Sequence, residues 1–332
     1  MLMKKIFWSV FLTMTILIGA DRLAAQTAVL QHEGELSTFY GSDSFIEAYN
    51  TAVDGDVITL SEGTFNTCNI GKSITIHGAG AYEDSEAGIL VTRFNSTIYV
   101  IGDCSPTIEG VEIGTVCLSS TNNASFVKCK IFVLEKYSSA SVTDVHLINC
   151  VIKSLNICNT SGAYIDNLHV VNSVIWNIGS QFAGQNHIAS NSIIRTDNTN
   201  SWKLKNIIAY NSVIVNDSPF LILESTCTIY NCIGVGTSVF ANSLNSNVME
   251  VDVITDVFPT YDASVGAEDP FILDEGIANS FLGTDGTEVG IHGGYYPYSN
   301  RPGYMKVRHC TVADRTTDDG QLSVDIEVVT EE

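Results

Sequence analysis

The chain has 332 residues, with 37 acidic and 16 basic side chains, so its formal net charge is −21 at pH 7. A chain this acidic has no basic stripe that could release counterions from phosphate, so we exclude nucleic acid as a partner and disfavour anionic membranes. The nine cysteines are an odd number, so at least one has no intramolecular partner. We expect most of them to be small buried thiols.

Residues 1–25 are predicted to be a secretory signal peptide and are left out of the fold prediction. Lys4 and Lys5 precede an apolar stretch at residues 6–20, and Ala24 and Ala25 provide the small residues of a cleavage site. The apolar stretch is too short for a comfortable membrane span, and no second one follows. We therefore expect an exported protein without a membrane span, in the periplasm, on the outer surface or secreted.

Residues 26–303 are predicted to form one domain that begins with a short helical cap. Ser44 and Glu47 have the spacing of a capping box at the start of an amphipathic segment. Strand-like segments follow at residues 54–65 and 73–80. A cap of this kind would cover the first strand edges and prevent edge-to-edge aggregation.

A repeat of about 20 residues runs through the middle of the chain. Each copy has a short, alternating strand pattern rich in Val and Ile, then a polar corner and a small residue. Strands at this spacing, with no helix-length segment between them, exclude βαβ units, and the scarcity of leucine disfavours a leucine-rich repeat. The repeat therefore predicts stacked coils of parallel strands. The small residues of successive copies are Val111, Cys129, Cys150, Ser173, Ser192, Ser212 and Cys232.

Asparagine occupies the corners between strands in most copies. Because asparagine tolerates left-handed backbone angles, we predict that conformation at these positions. We also predict that the side-chain amides hydrogen-bond from coil to coil as a ladder. The first row contains Asn149, Asn172, Asn191, Asn211 and Asn231, and the second contains Asn123, Asp144, Asn167, Asn186 and Asn206.

Three of these features together resemble the pectate-lyase-like β-helix superfamily. They are the asparagine row, the helix that precedes "GDVITLSEGTF" and "ITIHGAG", and the closing "GTDGTEVGIHGGYYPY" at residues 283–298. The resemblance covers roughly residues 36–300 and implies an all-β fold, a right-handed parallel β-helix with an N-terminal capping helix. This superfamily includes lyases, hydrolases, adhesins and proteins without known chemistry, so it implies no single activity.

Residues 304–332 are predicted to form a C-terminal β-hairpin that packs on the helix body. Asp319-Gly320 is a hairpin turn signal, and Val324 and Ile326 alternate with polar residues. Such a hairpin has one apolar face that must be covered.

One outward row of the repeat is apolar. If Ser173 and Ile175 point inward, then Val174 points outward. An exposed strip of this kind is unusual on a soluble monomer, so we expect the terminal hairpin or a partner to cover it. The alternative is that the inward and outward assignment is reversed. The strip contains Val151, Val174, Ile193, Val213 and Ile233.

The candidate ligand-binding residues are Lys153, Trp176 and Arg195, which lie two positions beyond the strip in consecutive coils. Successive coils would place the three side chains at steps of about 5 Å. Trp176 could stack on a sugar ring, while the cations pair with a uronate or sulfate. The alternative is that Trp176 helps to bury the strip and the two cations pack around it.

Three other groups of side chains are weaker candidates. A histidine pair could bind a metal or act as a base, but it has no third ligand. A tyrosine pair could hold sugar rings or only pack across strands. An early acidic group could bind calcium or be a solvated face. In that order, the groups are His146 and His169; Tyr210 and Tyr230; and Asp103, Glu109 and Glu112.

The sequence lacks the motifs expected of a β-helix enzyme: it has no GHG, no RxK and no paired aspartates beside a repeat strand. We therefore predict no cofactor and no metal site, and we identify no catalytic residue. The sequence favours a non-catalytic protein of the cell envelope or surface, which binds a glycan or a protein partner through its flank. The alternative is a polysaccharide lyase or glycoside hydrolase with an unrecognised active site.

Overall fold

The computed structural model describes residues 26–83, 91–158, 162–178, 182, 184–196, 204–217 and 223–299, and the backbone of two later strands. The predicted signal peptide at residues 1–25 lies outside the described residues. Within the described ranges, no helix combines the length and the apolar character that a membrane crossing requires.

The described chain is mainly β-structure with a few short helices. The helices are α1 (Ser44–Thr51), α2 (Ile254–Val257), α3 (Glu275–Ser280) and the 3-10 helix Gly266–Glu268. The strands are β1 (Thr27–His32), β2 (Glu35–Tyr40), β3 (Val57–Leu60), β4 (Gly63–Phe65), β5 (Thr75–His77), β6 (Thr92–Phe94), β7 (Ile98–Val100), β8 (Thr107–Glu109), β9 (Glu112–Leu118), β10 (Thr121–Asn122), β11 (Ser125–Val127), β12 (Lys130–Lys136), β13 (Val142–Ile148), β14 (Val151–Asn156), β15 (Ile165–Val171), β16 (Val174–Ile175), β17 (His187–Ser190), β18 (Ile193–Thr196), β19 (Ile207–Tyr210), β20 (Val213–Asn216), β21 (Thr228–Tyr230), β22 (Ile233–Val235), β23 (Leu244–Ser246), β24 (Met249–Val251), β25 (Lys306–Val312) and β26 (Val324–Val329).

The strands stack into a parallel β-solenoid of about eight turns, which confirms the predicted β-helix. Each repeat contributes one strand to sheet A and the next strand to sheet B. Neighbouring coils pair in register, as His146 does with His169 in sheet A and Val151 does with Val174 in sheet B. The order is β2-β1-β3-β5-β8-β11-β13-β15-β17-β19-β21-β23 in sheet A and β4-β6-β9-β12-β14-β16-β18-β20-β22-β24 in sheet B.

The asparagine corners have the predicted backbone. Both rows adopt positive φ, for example 46° at Asn172 and 52° at Asn167. The predicted amide ladder is wrong at Asn172 and Asn211, which bond to residues 284–293 rather than to the asparagines above and below. In the second row the predicted coil-to-coil bond is present, since the amide of Asn167 donates to the carboxylate of Asp144 at 3.0 Å. A coil-to-coil amide bond does join Asn247 to Asn231, at 2.8 Å.

The small residues inside the corner form the continuous hydrogen-bonded row instead. The Oγ atoms of Ser173, Ser192 and Ser212 accept the backbone N–H of the preceding coil, at 2.9 to 3.2 Å. The thiol of Cys150 in the same row donates to the carbonyl of Phe126. Serine and cysteine both occur in this row because each is small and can donate to a carbonyl.

Helix α1 covers the first coil, as predicted, by burying Phe45, Ala48 and Tyr49 against the end of the core. The predicted capping box is wrong. The N-cap is Asp43, and the hydroxyl of Ser44 is buried without a hydrogen-bond partner.

The interior of the solenoid and the outer face of sheet B form two separate apolar cores. Ile175 lies in the interior core and Val174 in the outer one, so the inward and outward assignment is confirmed. All five residues of the strip are at most 1% exposed. The outer core is completed by residues 254–298, which we call the cover. The cover contributes Val257, Phe258, Ala267, Phe271, Leu273, Val289 and Ile291.

The expectation that the terminal hairpin covers the strip is therefore corrected, since the cover already occupies that face. Strands β25 and β26 do form an antiparallel hairpin, as predicted. The turn signal at Asp319-Gly320 lies outside the described residues, and the packing of this hairpin on the solenoid stays a prediction.

Candidate functional site

The three predicted ligand-binding residues lie in one row on the outer face of sheet B, beside the cover. Lys153 forms an ion pair with Glu268 of the cover at 2.9 Å. The Arg195 guanidinium lies 4.2 Å from the Trp176 ring centroid and pairs with Asp217 at 2.6 Å.

Trp176 also packs against Tyr261 and Phe271 of the cover, with ring centroids 6.2 and 5.9 Å apart. The predicted row therefore exists, and its tryptophan contributes to the outer core. A ligand-binding role for these three residues stays a prediction.

A cleft of about 800 Å³ opens next to this row, between sheet B and the cover. Arg93, Glu112 and Lys130 project into it from β6, β9 and β12, one above the other in register. They occupy the same outward row as the apolar strip, in the preceding coils, because Lys130 pairs with Val151. The lining residues are Tyr82, Glu83, Arg93, Glu112, Lys130, Val265, Glu268, Asp269, Pro270, His292, Tyr298 and Ser299.

The charges of the cleft alternate in sign along a single network. Arg93 bonds Glu112 at 2.6 Å, and the Lys130 ammonium lies 3.7 Å from Glu112 and 2.8 Å from Glu268. Lys153 continues the network beyond Glu268. At the other end, Glu83 approaches Arg93 only to 3.6 Å, and its side chain is 61% exposed.

The ion pairs set the protonation state of the central carboxylate. Burial opposes ionisation of Glu268, but the hydrogen bonds and charges of Lys130 and Lys153 outweigh it and lower its pKa. Glu268 is therefore a carboxylate at neutral pH. Two carboxylates share one ammonium here, and Lys130 is only 13% exposed.

Aromatic and imidazole side chains complete the lining of the cleft. The hydroxyl of Tyr298 donates to that of Tyr82 at 3.1 Å, and burial raises the pKa of both phenols. The Nε2 atom of His292 lies 2.6 Å from the Pro270 carbonyl oxygen, so that nitrogen carries the proton and donates. The Tyr82 ring lies 5.7 Å from the Lys130 ammonium.

The early acidic group is not brought together. Glu109 is in sheet A and pairs with His77 at 3.0 Å, whereas Glu112 is in sheet B and joins the cleft. Asp103 instead accepts a hydrogen bond from Asn122. Within the described ranges, no three side chains of the His, Cys, Asp or Glu type are grouped to hold a metal ion.

The histidine and tyrosine pairs lie on the outer face of sheet A, which the cover leaves open. The rings of His146 and His169 are 4.8 Å apart and tilted by 31°. Burial and the neighbouring His169 lower the pKa of His146. The rings of Tyr210 and Tyr230 are stacked, 5.2 Å apart and 7° from parallel.

Sequence reasoning missed the cleft, although part of it could be found from the repeat. Glu112 and Lys130 occupy the register of the strip, so the change from charged to apolar residues along one row marks the edge of a covered face. No repeat pattern extends into the cover, so the contribution of Glu268 has no comparable signal.

Comparisons with known protein families, with curated proteins and with solved structures found no match. The resemblance to the pectate-lyase-like superfamily is therefore supported by the parallel β-solenoid alone.

Proposed function

We propose that this chain is an exported, non-catalytic binding protein that holds a neutral carbohydrate in the cleft between sheet B and the cover. The alternating charge network from Glu83 to Lys153 is the observation that carries the proposal. A sugar hydroxyl donates one hydrogen bond and accepts others, so it can bridge a carboxylate and a neighbouring ammonium or guanidinium. A polyhydroxylated ligand therefore suits a cleft in which carboxylates and cationic side chains alternate.

The balance of charge supports a neutral ligand. Glu83, Glu112 and Glu268 oppose Arg93, Lys130 and Lys153 in the network, so it carries no net charge. Asp269 also lines the cleft and adds one negative charge to it, and both of its oxygens accept hydrogen bonds from backbone N–H groups of its own loop. The carboxylates repel a polyanion, and a polycation would have to compete with Arg93 and Lys130, which already pair with Glu112 and Glu268.

Binding is favoured over hydrolysis by the state of Glu268. A glycoside hydrolase with two carboxyl groups needs one of them protonated as the acid, which requires a raised pKa. The pKa of Glu268 is lowered instead, by the two lysines that contact it. The polysaccharide lyase or hydrolase stays the alternative, which product analysis distinguishes.

Export rests on the N-terminal sequence. Lys4 and Lys5 before an apolar stretch, followed by Ala24 and Ala25, form the pattern that secretion machinery recognises. The proposed location is the periplasm, the outer surface or the medium, where polysaccharides are accessible.

The test is calorimetric titration of the chain lacking residues 1–25 with a panel of neutral and acidic oligosaccharides, followed by product analysis. We expect a neutral oligosaccharide to bind and to be recovered intact. Arg93→Gln should weaken that binding by about tenfold, since a charged hydrogen bond to a ligand contributes about that much. Lys205→Gln is the matched control, because Lys205 pairs with Glu224 away from the cleft.

Three outcomes contradict the proposal. In the first, no neutral oligosaccharide in the panel binds. In the second, the ligand is recovered shortened or unsaturated, which establishes the enzyme. In the third, Arg93→Gln binds as tightly as the parent while Trp176→Ala loses affinity, which moves the site to the row of Lys153, Trp176 and Arg195.

A further inference from the structure

The two sheets differ in how their outer faces are covered. On sheet B the outward strip is sealed by the cover, whereas on sheet A most outward side chains from β11 to β23 remain partly exposed. Ile208, near the middle of that face, is 42% exposed, and Leu244 at its end is 67% exposed. The open face is formed by Ser125, Val127, His146, Ile148, His169, Val171, Ile188, Ser190, Ile208, Tyr210, Thr228, Tyr230, Leu244 and Ser246.

The strand positions that form the open face carry no charge apart from the two histidines, and Asp144 and Asp166 lie beside it near the beginning of β13 and β15. Burial lowers the pKa of His146, and His169 lowers it further, so His146 is neutral at neutral pH. The nearest charged pair in the same row, His77 with Glu109, lies before β11. An uncharged face of this length does not complement a charged polymer and does complement a neutral one.

Ring side chains occur at two places on this face. The tilted rings of His146 and His169 lie side by side on β13 and β15, and Tyr210 and Tyr230 stack on β19 and β21. The strand between the two pairs, β17, presents the smaller Ile188 and Ser190. The face thus presents large ring side chains on either side of a coil with smaller side chains.

Amide and hydroxyl groups flank the same coils. A pocket of about 380 Å³ is lined by Gln185, Asn186, Asn206, Ile208, Thr226 and Thr228. None of these side chains is charged, and the amides and hydroxyls can both donate and accept hydrogen bonds. Such groups fix the orientation of a neutral polar ligand, while the rings beside them supply contact area.

We infer that the open face of sheet A is a second carbohydrate surface, which binds a neutral polysaccharide chain lying along the solenoid axis. The inference rests on the proposed function for the class of ligand, but it is carried by different residues on a different sheet. The two ring pairs contact separate sugar units, and the pocket beside Ile208 receives the polar groups of the units between them.

The spacing of the coils sets the length of ligand. Five successive strands from β13 to β21 carry the two ring pairs. At about 4.8 Å per strand, they span roughly 19 Å. Affinity at this face should therefore rise with chain length until the ligand reaches both pairs, whereas the cleft holds a short oligosaccharide.

The test compares a short neutral oligosaccharide with a soluble neutral polysaccharide of the same sugar, using the chain that lacks residues 1–25. Ile208→Asp places a charge at an exposed position without disturbing the core, and it should weaken polysaccharide binding by about tenfold through the desolvation of that charge. Tyr210→Ala should act in the same direction. Tyr137→Ala is the matched control, since Tyr137 is 57% exposed and meets Tyr99 edge-on, away from sheet A.

The variants separate this inference from the proposed function. Loss of polysaccharide affinity in Ile208→Asp, with short-ligand affinity retained, supports the second surface. If Arg93→Gln abolishes binding of both ligands while Ile208→Asp and Tyr210→Ala leave both unchanged, the second surface is refuted and the cleft stands. If the parent self-associates in sedimentation and Ile208→Asp makes it monomeric without changing polysaccharide affinity, the face is a contact between copies, which also refutes the inference.

Discussion

At the scale of single residues, the corner asparagines share one backbone conformation but differ in what their side chains contact. The Nδ2 group of Asn172 donates to the carbonyl oxygens of Ile291 and Gly293 in the cover, at 2.9 and 2.7 Å. Asn123 has the same left-handed backbone, with φ of 58°, and an exposed side chain. The buried amide therefore joins the solenoid to the cover, in addition to its role in the turn.

We predict that Asn172→Leu destabilises the protein much more than Asn123→Leu. Both substitutions place a side chain without local hydrogen bonds in the left-handed region, so their backbone costs are similar. Only Asn172→Leu also removes two buried hydrogen bonds, and it leaves the buried Gly293 carbonyl without this donor, at about 1–3 kcal/mol. The Ile291 carbonyl keeps the N–H of Tyr298. Urea unfolding of the two variants measures the difference, and equal midpoints would show that the bonds to the cover contribute nothing.

The cysteines among the small inward residues of the coils are buried. Buried thiols occupy several of these positions, and burial raises the pKa of Cys232 to about 12. Such a thiol remains protonated at neutral pH and is a poor nucleophile. The expectation of small buried thiols is thus met at Cys129, Cys150 and Cys232.

At the scale of elements, the cover is attached to sheet B by apolar contacts and by ion pairs at one end. Phe258 and Phe271 are each 1% exposed in the outer core. Glu268, at the end of the 3-10 helix, holds that end through Lys130 and Lys153.

The ion pairs predict that the cover is less stable in acid. The pKa of Glu268 is lowered in the folded protein, so its contribution is present above the unfolded pKa and is lost as the pH falls through the folded value. Glu268→Gln should therefore lower the urea midpoint at neutral pH and reduce its fall between about pH 5 and pH 3. Glu224→Gln is the control with the same change of charge. An unchanged pH dependence in Glu268→Gln would contradict this role.

The cover also predicts the effect of removing the C-terminal hairpin. A chain that ends at residue 299 keeps all the residues of the outer core, so we expect no increase in the binding of a hydrophobic dye. Phe271→Ala should increase dye binding, because loss of a buried Phe side chain costs about 3–5 kcal/mol. Strong dye binding by the shortened chain would show that the hairpin, rather than the cover, shields the strip.

The elements also show what could be predicted from the sequence. The coils could be predicted because each copy repeats the same alternation and the same corner, as at Asn172 and Asn211. The covering of Val174 could also be predicted, because an exposed apolar row is unfavourable. The identity of the covering segment could not, since the cover has no repeat and only its burial reveals its apolar residues. For the same reason the cleft could be found only on its sheet B side, at Glu112 and Lys130.

At the scale of the whole molecule, two regions differ from the generally acidic surface of this chain. One is the cleft, where cations and carboxylates alternate. The other is the outer face of sheet A, where the ring pairs and their neighbours carry no acidic or basic side chain other than the two histidines, with Asp144 and Asp166 at its margin. The net charge of −21 repels polyanions elsewhere on the surface. Both regions remain suited to neutral ligands.

The cleft is proposed to hold a neutral carbohydrate without cleaving it. The most direct test is hydrogen exchange of the chain lacking residues 1–25, with and without a neutral oligosaccharide that binds in the panel, followed by recovery of the ligand. We predict slower exchange in β6, β9, β12 and residues 265–270, and an intact ligand. Slower exchange confined to other segments, or recovery of a shortened ligand, would contradict the account.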